Sequence, residues 1–560
     1  MNSDRAPAAI LKFVPKVVGL LLFGIYFERV FDVLTSDMPR QIFFESSFTA
    51  ALLSRMPLGI AVAIASVALM VWLFSPAGRG HLAWDQVDRV GGLRWPILVV
   101  AMTLAWAYAG YRYNYYFDQS HVWDRWLIVA LLFATLRSPL LIPFFVFEVL
   151  LSRAQFDHPL NAVTHIGDEL SLRVLGVVVG CALWNALQDG LKAVRSIPRT
   201  ILFEKWLDSA RIPTHAVVYS VLCMIGFYYV VAGLGKMTLG LNAFDWMRFS
   251  HLENLFVASY LNGWLHFLSE SRMLELAEFI RILHLPISMT TLMIELGMSF
   301  ILVRRRGTLL ILAAASAMHV GIVVTTGIIF WKWLALDFSF LVWLWLRRED
   351  EEIGCMYSPS KFILSVLVIG GLVAGFQLNK FSWWNTKWIM IYEVEVLDEE
   401  GKSYLVDHAD FSPYTFFDVY RPRGRRNQTR VYGLTLHQHL MNFFEEADPD
   451  SLKKFGSSGP GRKISPDRAR RARRFNDFMS RYFRNRNRDP GQSVPPFLLP
   501  SPAMHNRHLH GPNLYKDQGP VIEVRLRFKE FYYSGSELRR MRDEIVYSIP
   551  IANSVPRVDE

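Results

Sequence analysis

Tyr228-Tyr229-Val230-Val231-Ala232-Gly233-Leu234-Gly235-Lys236-Met237 closes an apolar run that begins near Ala216. The run is long enough to carry the chain across a bilayer. It ends at a lone lysine on a glycine-flanked corner, with Asp245-Trp246 shortly after. A lysine at the mouth of an apolar segment can lose its charge by desolvation and act as a base near neutral pH. The plainer reading is an ammonium that snorkels into the lipid headgroups, as lysines at helix ends commonly do. Two other stretches, around His121 and His319, bear on that choice.

Working outward, the whole 560-residue chain is apolar. Hydrophobic residues make up 52%, charged residues 20%, and there are 17 Trp and 40 Phe. That composition and its continuous runs point to a polytopic α-helical membrane domain of about 8 to 10 spans. The alternating segments of a transmembrane barrel are absent from the pattern. Candidate spans fall at 9–27, 57–75, 94–112, 125–150, 172–190, 215–235, 285–303, 308–327, 329–346 and 361–378. The first, with Lys12 and Lys16 and no small-residue cleavage site after it, reads as a retained helix. The stretch 125–150 holds Arg137, Pro139 and Pro143, so it is one kinked helix or a helix plus a re-entrant piece.

Charge bias orients the chain. Lys192, Arg195, Arg199, Lys205 and Arg211 share one loop and Arg304-Arg305-Arg306 another, and both read as cytoplasmic. Lys236 then lies on the far face, followed by interfacial helices with Trp246, Phe249, Trp264 and Phe267. Membrane lipid is one expected partner. The net charge of +10 gathers at 462–488 and beside apolar runs, so it is no argument for nucleic acid, and none is expected.

The pattern changes after residue 380. Trp388–Val396 alternates like a strand, Asp398-Glu399-Glu400-Gly401 makes a turn, and Ser403–Val406 returns. Val521–Phe528 alternates as well, and Ile545–Ile551 reads as a last strand. Residues 1–380 thus form the helical membrane domain, and 381–560 a small extramembrane β-rich domain on the periplasmic or lumenal side. A basic insert at 456–502 interrupts it and reads as solvated chain, or as a basic helix on anionic lipid.

Two constellations accompany Lys236. Tyr111-Arg-Tyr-Asn-Tyr-Tyr-Phe-Asp-Gln-Ser-His121-Val-Trp-Asp124 lies between apolar runs. An interfacial aromatic belt accounts for its rings, whereas Asp118, His121 and Asp124 together suit proton relay. His319 lies inside a span, with Glu295 in the span before as its expected partner. An intramembrane ionisable pair is either a functional site or polar glue between helices. Phosphate loops, HExxH and GxSxG are not found. The three cysteines are scattered, and the clusters His437/His439 and His505/His508/His510 lack fixed carboxylate or Cys partners, so no metal is expected.

Three stretches in order, the aromatic His loop, YYVVAGLGKM…DW and MHVGIVVTTGIIFWKWLALDFSFL, resemble the horizontally transferred transmembrane (HTTM) family, which includes the vitamin K-dependent gamma-glutamyl carboxylases. YEVEVLDEEGKSYLVDHADFSP is similar to the strand–turn–strand opening of that family's lumenal domain. The resemblance implies a lyase-type enzyme. Oxygenation of a reduced quinone of the vitamin K or menaquinol type would be coupled to carboxylation of a glutamate in a secreted peptide or protein substrate. It implies Lys236 as base, His121 and His319 as catalytic partners, and Tyr229, Trp246, Glu295, Phe330 and Trp331 around substrate and quinone. The single lysine after Gly235, the Asp118-Gln119-Ser120-His121 loop and the basic insert favour an alternative. In it the chain is a non-catalytic membrane assembly, maturation or immunity protein whose outer β domain binds a polypeptide.

Overall fold

The computed structural model describes residues 5–36, 38–55, 84–160, 167–193, 208–238, 242–249, 251–375, 387–412, 414, 468–494, 499–502 and 513–551. Its helical part comprises α1 (Arg5–Ser36), α2 (Phe48–Arg55), α3 (Arg94–Ala109), α4 (Val122–Arg137), α5 (Ile142–Asp157), α6 (Asp168–Ala193) and α7 (Thr214–Met237). These are followed by α8 (Asp245–Phe249), α9 (Leu252–Leu261), α10 (Glu270–Gly297), α11 (Arg305–Thr326), α12 (Trp331–Leu346), α13 (Glu351–Gly354) and α14 (Pro359–Gly375).

Six helices among the described residues are long and apolar enough to cross a membrane: Ile10–Thr35, Pro139–Asp157, Asp168–Lys192, Asp208–Met237, Glu270–Phe300 and Arg305–Thr326. The count becomes seven if α13 and α14, bent by 64°, are one broken span. Exposed Ile282, Met293, Leu310 and Val324 give these helices an apolar outer surface. By this criterion the described residues hold six or seven candidate spans of a multi-pass chain, against the 8 to 10 expected of the whole sequence. The expected span at 57–75 lies outside the described residues. The expected span at 125–150 is broken at extended Ser138 into α4 and α5, where Pro139 can take no helical hydrogen bond. Helix α12 has 16 residues, about 24 Å of rise. That falls short of a hydrocarbon core about 30 Å thick.

Packing between α1 and α6 depends on small residues. A Cβ on Gly24 would lie 2.8 Å from the Arg173 carbonyl oxygen, and one on Gly176 2.9 Å from the Gly24 Cα. The backbones therefore touch, as small residues permit between helices in lipid. Buried Glu28 pairs with Arg173 at 3.4 Å beside this crossing.

The C-terminal part is an antiparallel sheet in the order β2–β1–β3–β4, with β1 Trp388–Asp398, β2 Ser403–Leu405, β3 Val521–Tyr533 and β4 Leu538–Pro550. Val394 faces Leu526 and Tyr392 faces Phe528 across the central pair. The turn at Asp398–Gly401 forms as its sequence predicts, with Gly401 at φ 80°. β3 and β4 run longer than expected and meet in a tight hairpin around Gly535.

Part of the basic insert is a helix, as one of its two readings expects, and not solvated chain. Its residues Arg468–Arg488 form helix α15. Phe475, Phe478, Met479, Tyr482 and Phe483 are buried at helical spacing. The same helix ties the sheet to the α3–α4 loop. Tyr116 donates to Asp477 at 3.0 Å, Arg481 to the Tyr116 carbonyl at 2.9 Å, and Asn485 to the Tyr115 carbonyl at 2.7 Å. Arg474 donates to the Pro159 carbonyl at 3.2 Å, just beyond α5. These arginines satisfy carbonyls at loop and helix ends, a role cations fill at helix C-termini.

Candidate functional site

Helix α7 presents Tyr229, Gly233 and Lys236 on one face, since positions four and seven apart stack along a helix. Gly233 matters for its lack of a side chain. A Cβ there would come 3.2 Å from the Glu295 Cβ and 2.9 Å from Leu296 of α10. The close approach lets Glu295 reach Lys236, and the two form a buried ion pair. Trp246, on α8, covers the ammonium with its ring centroid 5.3 Å from Nζ. The expected partner of Glu295 was His319, but the carboxylate goes to the lysine instead.

His319 has its own partners. Helix α11 ends at Gly327, whose left-handed φ of 67° turns the chain into α12. The turn sets Asp337 and Trp333 opposite His319. The Tyr229 hydroxyl donates to Asp337 and accepts from His319 Nε2 at 2.7 Å. One hydroxyl proton cannot serve both partners, so the imidazole carries its proton on Nε2. Its Nδ1 is then a lone-pair acceptor, buried and without a hydrogen-bond partner among the described residues. Glu295 Oε2 and Asp337 Oδ1, as acceptors, and the indole N–H donors of Trp246 and Trp333 are likewise buried without a partner among the described residues. Phe330 and Trp333 flank His319 at ring-centroid distances of 5.5 and 5.9 Å. Tyr229 and Lys236 share one face of α7, so the two groups neighbour each other along that helix.

Trp333 also walls off a second buried group. Lys332 and Tyr108 both donate to Asp168 at the start of α6. Gly167, at φ 90°, leaves room for the Trp333 ring, which would lie 2.5 Å from a Cβ there. Trp331 belongs to this side, edge-on to Trp106 at 5.4 Å. Asp337, Lys332 and Asp168 were not singled out in the sequence. A charge inside a Trp-rich apolar segment was the available sign for the first two.

His121 occupies a different environment. It caps α4 in a left-handed conformation, φ 49°. Its Nε2 donates to the Phe43 carbonyl at 3.0 Å and its Nδ1 accepts from Gln155 at 2.9 Å. Phe48 and Phe117 enclose the ring. Burial pulls its pKa down to about 3, against the Phe43 hydrogen bond and with help from Arg125. Asp124, the next acidic residue, accepts from Ser47 and from the Phe48 and Thr49 amides at the start of α2. Arg125 gathers the carbonyls of Ala109, Tyr111 and Ser120. This loop is thus bound up in its own contacts, each ring nitrogen of His121 being engaged.

The structure therefore brings together Lys236, Glu295, Trp246, Tyr229, His319 and Phe330, and sets Trp331 and His121 in neighbouring clusters of their own. The histidines at 437, 439, 505, 508 and 510 lie outside the described residues. No protein-family model, curated protein or solved structure matches the chain.

Proposed function

We propose that the chain is a membrane-embedded, carboxylase-like enzyme whose Lys236–Glu295 and Tyr229–His319–Asp337 groups bind and deprotonate a reduced quinone. The observation that carries this reading is a set of buried acceptors left without partners, Glu295 Oε2, His319 Nδ1 and Asp337 Oδ1, beside the rings of Phe330, Trp333 and Trp246. Buried acceptors of this kind cost free energy unless a ligand donor satisfies them. A flat aromatic diol suits that inventory, with two donor hydroxyls and an apolar body. Reduced quinone, when bound, supplies the reducing equivalents for reaction with oxygen. His319 Nδ1 is an acceptor for a hydroxyl proton, and the Tyr229–Asp337 link holds the ring in that tautomer. Lys236 stabilises the developing negative charge as an ammonium, or accepts the hydroxyl proton once its own proton has passed to Glu295. Trp246 keeps water from the ammonium.

In the full reading the sheet domain lies on the periplasmic or lumenal side and presents a glutamate-bearing peptide or protein. The resemblance to the HTTM carboxylases supports that assignment, as does charge bias in the loops. The alternative, a non-catalytic partner protein, is favoured by one observation: β4 is the longer of the two edge strands of the sheet among the described residues, and an edge strand offers its backbone to another chain.

Binding tests the first reading. The purified protein in nanodiscs is titrated with menaquinol under anaerobic conditions and followed by tryptophan fluorescence. Saturable quenching by the wild type, weakened about tenfold or more in His319→Ala, is expected for loss of a buried charge-neutral hydrogen bond and its packing. Equal quenching in both proteins would remove the quinone from this site.

A further inference from the structure

Outside this centre, three ligating side chains converge where α8, α9 and α10 meet. His251 precedes α9, Glu253 sits in its first turn, and His284 comes from α10. His251 Nδ1 lies 2.9 Å from Glu253 Oε1. The two imidazoles stack, with centroids 4.9 Å apart and planes 20° from parallel. One ligand atom from each of the three residues lies within 4.8 Å of the others.

The proton inventory favours a cation. His284 Nε2 faces the Met247 carbonyl at 2.7 Å, so it carries the hydrogen. Its Nδ1 is then a lone pair, engaged among the described residues only by the Leu252 amide at a long 3.4 Å. Glu253 is 4% exposed, and its Oε2 has no hydrogen-bond partner among the described residues. A packing role accounts for a histidine stack and one His–Glu hydrogen bond. It leaves a buried carboxylate oxygen unsatisfied, which costs free energy. Arg281 and Tyr533 are within coulombic reach of Glu253, but the guanidinium is held by Glu278 at 2.6 Å.

The geometry points to a binding site for a divalent transition-metal ion of the zinc class, formed by His251, Glu253 and His284. Two imidazoles and a carboxylate are the donor set of zinc centres that keep a fourth position open for water or substrate. The Met247 carbonyl supplies the outer contact that fixes a ligating histidine's tautomer. Donors around a tetrahedral ion stand roughly 3.4 Å apart for bonds near 2.0–2.1 Å, so groups within 4.8 Å of one another need close by at most about 1.4 Å. His251, with 29% of its side chain exposed, gives the ion a way in. The bound ion joins α9 to α10. Through Met247 it also steadies α8, whose Trp246 covers Lys236. The site stands on its own residues and does not rest on the quinone reading.

The full-length protein in detergent is stripped with a chelator, desalted and titrated with Zn²⁺ alone. One ion per chain is expected, with binding weakened about tenfold or more in the near-isosteric Glu253→Gln and in His251→Ala. Co²⁺ in place of Zn²⁺ should give an intense visible absorption band that Glu253→Gln loses. The double variant His437→Ala/His439→Ala should keep both signals, which separates this site from those histidines. Wild-type protein that binds no zinc, or Glu253→Gln protein that binds it as tightly as wild type, overturns the assignment. Thermal unfolding of each metal-free variant confirms that loss of binding is not loss of fold.

Discussion

His121 is neutral in the folded chain because burial holds its pKa near about 3, whereas an unfolded histidine titrates near 6.5. The unfolded state therefore binds a proton that the folded state excludes between those two values. The stabilisation is complete above about pH 6.5 and is lost as pH falls, by about 1.4 kcal/mol per unit inside the window. We expect His121→Asn to be less stable than wild type at pH 7 by about 1–3 kcal/mol, and to lose less on going to pH 5. Parallel denaturation at the two pH values measures this, and identical slopes for the two proteins would contradict it. The same residue shows what a local reading leaves out. A histidine among aromatic and acidic neighbours suggests proton relay, yet the contacts that engage it, Phe43 and Gln155, come from distant parts of the chain. Lys236, Glu295 and His319 were legible because charge within an apolar run is costly unless partnered. Their pairing was not, since Tyr229 and Asp337 separate Glu295 from His319 in a way no local pattern encodes.

At the scale of elements, apolar length gave the helices but not the number that can span. Helix α12 is rich in apolar residues and still too short to cross, and the 125–150 stretch is interrupted at Ser138, so that only its Pro139–Asp157 side is long enough. The glycine contacts were equally invisible, since a helical glycine carries no mark of what lies against it. They are testable. Gly176→Leu must displace the α1 backbone, because even its Cβ would lie 2.9 Å from the Gly24 Cα. Overpacking of this kind costs about 1–3 kcal/mol. Thermal unfolding in detergent should show a lowered midpoint for Gly176→Leu and almost none for Gly371→Leu, whose Cβ would meet nothing within 4 Å. Equal effects would mean that α1 and α6 do not touch there. Clean alternation marks the strands β1 and β3. In β4, Arg539, Arg540, Arg542 and Asp543 mask the start, so the pattern reveals only the Ile545–Ile551 end of the strand.

The whole molecule is joined by α15. Composition led the reading of this segment toward solvated chain, because arginines dominate it, although Phe475, Phe478, Met479, Tyr482 and Phe483 already held the period of an amphipathic helix. Phe478, fully buried, stacks on Tyr116 of the α3–α4 loop at 5.4 Å and meets Tyr414 at 5.1 Å. Phe478→Ala should cost about 3–5 kcal/mol and loosen the sheet from the helices. Limited proteolysis would then release the C-terminal part faster than in wild type, and an unchanged cleavage rate would show that α15 is not the joint.

The most direct measurement of the central claim is oxygen-dependent turnover. Wild-type and Lys236→Ala proteins are reconstituted in nanodiscs with vitamin K hydroquinone, oxygen, labelled bicarbonate and a glutamate-rich peptide. Quinone epoxide and labelled carboxylate are then read by mass spectrometry. A base at Lys236 predicts epoxide from the wild type, and a rate lower by about 10²–10⁴-fold in Lys236→Ala. No epoxide from the wild type under conditions where an authentic carboxylase works, or equal epoxide from both proteins, would contradict it.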